Sequence, residues 1–252
     1  MSETIDNLVH LLVLIFLMTT ILIPSLRKGL LSRKRGEWFL DVVSLGNHFF
    51  TIPLIQTAVL YKLYSVVLPG YKSSLSISPL VALLLYMLVD YGWYWNHRLL
   101  HSRTKLWNFH MVHHAAEHLD VLATPRNTFW SPLLMVYMWV FSLILYLVSN
   151  PMWFLIFASI GLLINFWGHT NFNFSKNGLV NKALSLFLIT PREHFWHHST
   201  ENSYCNFATV FNFWDKIHGT FHGPPMLPKK LGFPINMSIT RQVFFPFDKD
   251  ID

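Results

Sequence analysis

"HRLLHSRTKLWNFHMVHH", residues 97–114, decides how this chain folds. His97 and His101 stand four apart, and His110 precedes His113 and His114 by three and four. Such intervals put side chains on one helix face, a turn apart, so each box is expected on a helix. Two imidazoles at that spacing can grip one metal ion. "PREHFWHH", residues 191–198, repeats the pattern with His194, His197 and His198. Adjacent helical residues point about 100° apart, so His113/His114 and His197/His198 can each reach two metals. The boxes together offer too many nitrogens for one ion and about enough for two.

The rest of the chain is oily. Of 252 residues, 52% are hydrophobic and 13% charged, where a soluble domain carries roughly 25% charged. A membrane protein is expected. The +6 formal charge lies in short connections between apolar stretches, which reads as a positive-inside signal and not as a nucleic-acid surface. The single cysteine, Cys205, excludes an intrachain disulfide and a thiolate metal cage. No basic start or small-residue cleavage site marks a removable signal peptide.

Apolar spans are expected at Leu8–Leu26, Val42–Leu68, Leu80–Trp95, from Phe129 to Ser149, and Met152–Trp167. The basic run Arg27, Lys28, Arg33, Lys34 and Arg35 after the first places that loop in the cytoplasm. Pro53 is expected to kink or break the second. Turns follow at residues 69–79 and at Asn150-Pro151. Counting crossings, the third and fifth spans end in the cytoplasm, at the first box and at His169. A five-span count is odd, and one stretch is alternatively re-entrant, leaving four. The expected fold is all-α: a polytopic integral membrane helical bundle with a cytoplasmic histidine-rich di-metal cap. It reads as one domain, 1–252, with N-terminal spans in 1–78, the histidine core in 79–222 and a cytoplasmic tail in 223–252.

Imidazole suits Fe, Zn, Cu and Ni. Structural zinc prefers sulfur among four closed ligands, and the Glu-x-x-His of soluble di-iron bundles is missing here. A histidine-only pair of irons is coherent with what remains. His10, His48, His118, His218 and His222 stand alone and read as packed or interfacial. Asp90, seven residues before His97, faces the same side and is expensive in an apolar span unless paired; it is expected to orient a ligand imidazole from behind. Glu117, Asp120, Glu193 and Asp215 are weaker candidates, with Arg126 and Arg192 pairing with these or with lipid phosphate. Trp93, Trp95 and Trp107 read as an aromatic belt. A competing reading is a metal-binding or metal-transporting membrane protein without redox catalysis. Transporters hold ligands near the midplane between broken helices, whereas these boxes lie at span ends, which favours an enzyme.

These motifs resemble the membrane fatty acid hydroxylase and sterol desaturase superfamily. "DYGWYWNHRLLH", "HMVHH", "WGHTN" around His169, and "TPREHFWHHSTENSYCNFATVFNFWDKIHGTF" carry the resemblance across residues 90–221. "LGFPINMSITRQ" looks like the tail of its alkylglycerol monooxygenase-like and bacterial sterol-desaturase-like branch. The resemblance implies a di-iron, dioxygen-dependent hydroxylation or desaturation of a membrane lipid. It implies His97, His101, His110, His113, His114, His169, His194, His197 and His198 as ligands. Thr128 stands where many relatives have a further histidine, so a water or an amide, from Asn171 or Asn173, is expected to complete one iron. No cytochrome or flavin motif is present in the sequence, so electrons are expected from outside, from a b-type cytochrome or a diffusible reductant. The branch resemblance implies a reduced pterin.

Overall fold

The computed structural model describes residues 21–170 and 179–247, with Leu11, Leu14, Ile15 and Met18. Most of the expected first span, and Asn171 and Asn173, lie outside the described residues. Among the described residues the fold is helical without strands; bridges pair Leu75 with Val148, Leu188 with Phe211 and Ser199 with Leu231.

Helix α1, Pro24–Ser32, leads through extended Arg33 and Lys34 into α2, Arg35–Val67. The 33 residues of α2 make it the one described helix long and apolar enough to cross a membrane. Pro53 does not break it. Its missing N–H is absorbed by π-turns on either side, Asn47–Thr51 and Ile55–Leu60, one of the accommodations that re-satisfy backbone around proline.

Helix α3, Pro79–Ser102, starts on a Ser78 hydroxyl cap with proline in its first turn and ends in the first box. One extended residue, Arg103, reverses the chain into α4, Thr104–His114, which carries the second box. The expected fourth span is shorter than its apolar sequence. Pro132 sits in a 3-10 turn, Ser131–Leu134, and Met135 is extended, so α5 covers only Val136–Leu147. Its 12 residues span roughly 18 Å at 1.5 Å per residue, short of a hydrocarbon core of about 30 Å. Helix α6, Met152–Gly168, returns toward the histidines. Short helices α7 (Leu179–Phe187), α8 (Pro191–His197), α9 (Phe213–Ile217) and α10 (Ile239–Phe244) complete the fold.

The turns before α3 and α6 lie side by side. Leu75 N–H donates to Leu147 O and Ser149 N–H to Leu75 O, both at 2.9 Å. Starting from a common end, α3 and α6 bring His97, His101 and His169 to the other. Ala82, Tyr86 and Val89 of α3 pack on Ile144, Val148 and Phe154. Gly161 makes this approach possible: a Cβ there would stand 1.5 Å from Tyr86 Oη.

The tail closes over the histidine end. Phe129 N–H donates to Val243 O, and Trp130 Nε1 to Phe244 O. Gly232, at φ +67°, lies so close to the end of α4 that a Cβ would meet Ala115 O and Ala116 at 2.7 Å.

Candidate metal centre

The third box owes its place to a strong helix start. Thr190 caps α8, Pro191 occupies the first turn, and Glu193 reaches back to Thr190 N–H at 3.0 Å. Glu193 is thereby committed to capping, with Arg192 beside it at 3.2 Å. The following turn presents His194, His197 and His198 inward.

Two nests result. His97, His101, His110, His114 and His197 form the first; His113, His169, His194 and His198 form the second. Within each nest one nitrogen per histidine lies within 4.8 Å of all the others. Ligands about 2.1 Å from a common ion would be separated by comparable distances, up to roughly twice that bond length. The sequence neighbours divide as the helical angle requires: His113 and His114 go to different nests, as do His197 and His198.

Ring orientation is set largely by backbone oxygen. Nδ1 of His97 and of His197 donates at 2.7 Å to the carbonyls of Phe207 and Cys205. Nδ1 of His113 donates at 3.0 Å to Arg126 O, and that of His169 at 2.9 Å to Asn165 O. A carbonyl can only accept, so these contacts fix the Nδ1–H tautomer in the neutral rings. Nε2 is then bare in each. Yet His197 Nε2 faces His97 Nε2 at 3.0 Å, and His169 Nε2 faces His113 Nε2 at 3.3 Å. Two lone pairs have no proton to share, and a cation between them resolves the repulsion.

Further nitrogens are buried without partners among the described residues: His101 Nε2, Nδ1 of His114 and His194, and both nitrogens of His198. Each such group costs on the order of 1–3 kcal/mol unless something binds it. Burial lowers His97 and His169 to about 4. Burial and then neighbouring imidazoles push His101, His110, His113, His114, His194, His197 and His198 well below the usual imidazole value. The donors are neutral at pH 7, as metal binding needs. The set fits metal ions.

Asp90 is spent elsewhere than expected. Its carboxylate accepts from Trp214 Nε1 at 2.9 Å, Thr209 Oγ1 at 3.3 Å and Phe211 N at 3.4 Å. It braces the segment after the third box and bonds to no described imidazole. Thr128 Oγ1 accepts from Ser131 N–H at 3.2 Å. Trp107 is no belt residue: its ring packs 4.9 Å from His101 and 5.2 Å from His114, walling the first nest. Trp93 lies 5.8 Å from His97. His48, His118, His218 and His222 stay outside the nests. Burial pushes the Cys205 thiol up to about 12, so it stays protonated.

A network that local sequence does not reveal supports the second box. Arg126, whose carbonyl holds His113, is paired with Asp41 at 2.5 and 2.9 Å and with Glu37 at 3.7 Å. Arg33 joins Asp41 at 3.0 Å to Asp120 at 2.7 Å. Arg33, Asp41, Asp120 and Arg126 are all buried. Arg33 and Asp120, like Arg126 and Asp41, lie more than 80 residues apart, beyond any motif.

Helices that converge two adjacent all-histidine nests define a metal-binding helical protein. The chain belongs to the fatty acid hydroxylase family, whose family model matches residues 82–220. It is similar to alkylglycerol monooxygenase of Homo sapiens, 35% identical over 139 residues, 53% of this chain and 28% of that protein. Ornithine lipid hydroxylase OlsE of Rhizobium tropici is 33% identical over 144 residues, 55% of this chain and 41% of that protein. Cholesterol 25-hydroxylase of Mus musculus is 32% identical over 155 residues, 60% of this chain and 49% of that protein. The chain thus spans less than half the length of these relatives. No solved structure matches it.

Proposed function

We propose that the chain is a membrane-embedded, two-iron, dioxygen-dependent hydroxylase of a lipid C–H bond. The observation that carries this reading is the partition of nine histidines into adjacent nests with bare nitrogens facing each other. Bound there, two ferrous ions would supply the oxygen chemistry that attacks an unactivated C–H bond. The protein's part is to hold neutral ligands, wall the nests with Trp107 and the tail, and keep water out. Hydroxylation is favoured over desaturation because the relatives compared are named as hydroxylases or monooxygenases. Their names carry an alkylglycerol, an ornithine lipid and cholesterol, in keeping with a membrane-lipid substrate of fatty acyl, alkyl ether or sterol-like type. Electrons come from a separate protein or a diffusible reductant such as a reduced pterin.

The exposed apolar flanks of α2 and α3, including Phe50, Leu54, Val66, Leu84 and Leu88, fit contact with lipid tails. We place the chain as multi-pass, residues 79–222 as the catalytic core and the histidine end in the cytoplasm. The short α5 and its return through α6 suit a re-entrant hairpin. Against the transport reading, the ligands gather at helix ends and not along a path between them.

The test is lipid mass spectrometry of membranes supplied with ¹⁸O₂. A lipid hydroxyl carrying the heavy isotope, dependent on this chain and on iron, is the expected result. Unchanged lipids with iron-loaded protein and a competent reductant would sink the proposal.

A further inference from the structure

One carboxylate holds the loop after the third box. Asp215, fully buried on α9, accepts from Phe207 N–H at 2.8 Å and Ala208 N–H at 2.9 Å. Its Oδ1 also takes the Thr220 hydroxyl at 2.7 Å. The same loop presents the Cys205 and Phe207 carbonyls that orient His197 and His97. Both imidazoles belong to the first nest. In the second nest, the carbonyls that hold His113 and His169 come from Arg126 and Asn165, outside this loop.

The loop needs holding. Asn206, between the two carbonyl residues, has φ +52°, a conformation uncommon for a side chain other than glycine. Its amide bonds to Glu193 O, His222 O and His222 N–H at 2.7–2.8 Å. On the other side the converging groups are three donors. A carboxylate has about four lone-pair sites and only accepts, so it can meet all three. An asparagine there would turn an NH₂ toward one of them.

We infer that Asp215 is a positioning residue for one metal of the pair: by clamping the 205–208 loop it aims the Nε2 atoms of His97 and His197. This rests on the two-metal reading above. Asp215 touches neither imidazole, so its influence runs through the backbone, and it is selective for the first nest.

The experiment uses the full chain, purified anaerobically, loaded with ferrous iron alone and then stripped with a graded chelator. Wild type is measured first and is expected to release two irons in two steps. His101→Ala, a first-nest change, identifies the first-nest step by its loss. Asp215→Asn should move that step by roughly 10-fold or more in affinity, the scale for losing a partner that orients a ligand, and leave the other in place. A general loosening would move both steps alike, and that result overturns the inference, as does a folded Asp215→Asn that moves neither. Should Asp215→Asn fail to fold, Thr220→Val decides by the same criterion: a shift confined to the first-nest step supports the clamp, and a shift of both or neither overturns it. A wild-type chain that holds one iron overturns the two-metal reading before any variant is made, and the assignment of Asp215 to one of two sites with it.

Discussion

His113 and His114 are covalent neighbours that face different nests, their ring planes 84° apart and their centroids 5.5 Å apart. A helix advances about 100° per residue, so one short box feeds both nests from adjacent positions. His197 and His198 do the same at 87°. The nests are therefore coupled by two peptide bonds, and damage to either should silence the whole site.

His110→Ala, from the first nest, and His198→Ala, from the second, should each lower turnover by more than about 100-fold, beyond the usual cost of losing only a ligand's partner. Membrane insertion should be unchanged, since neither removes apolar surface from a span. Iron content and product are to be measured together. Near-normal turnover in either variant would contradict a shared site.

Asp90→Asn should be mild. An amide can keep the Trp214 N–H bond through its oxygen and donate to Thr209 Oγ1. Chelator titration should leave iron affinity within about 3-fold of wild type, below the 10–100-fold typical of a direct ligand partner. Asp90→Ala, in contrast, strands the Trp214 N–H and should cost about 1–3 kcal/mol, read as a fall in Tm. A large loss of iron in Asp90→Asn would restore the direct role that the sequence had suggested.

The metal-free chain should be labile in acid. Burial depresses folded His97 and His169 to about 4, from an ordinary value of 6.5. Above 6.5 both states are neutral and this linkage contributes nothing. As pH falls from 6.5 toward 4, the unfolded chain takes up protons that the folded chain refuses, so stability is lost. Thermal melts of apoprotein across that window should show a steady decline, and a flat profile would contradict the buried neutral histidines.

Ser102, exposed at the end of α3, reports topology. A cysteine there, in a Cys205→Ser background, should react with an impermeant thiol reagent only when the cytoplasmic face is open. Labelling from the outside alone would invert the proposed orientation.

The boxes were legible because helix periodicity and metal chemistry both act over three or four residues. The division into nests was half legible: the helical angle separates His113 from His114, but only tertiary packing says which joins His169. What turned the rings was hidden, because carbonyls at Asn165, Arg126, Cys205 and Phe207 leave no mark on residue type. Asp90 misled because sharing a helix side with His97 says nothing of what a neighbouring segment inserts between them. Pro53 and Pro132 act in opposite directions. The first was absorbed by π-turns, and the second lies in a 3-10 turn that shortens a long apolar run into a 12-residue helix.

The order of the ligands along the chain has a consequence for biosynthesis. The first nest waits for His197, and the second for His194 and His198, although their other donors are made far earlier. A nascent chain that has just completed α4 carries both His97–His101 and His110–His114 with no partner helix to shield them. Selective metal loading therefore belongs after translation has passed α8. Until then the unfinished pocket is open to whichever divalent ion binds imidazole most avidly, and copper and zinc outrank ferrous iron there. On the two-iron reading proposed above, a cell that makes this protein must keep those ions scarce during synthesis or deliver iron afterwards.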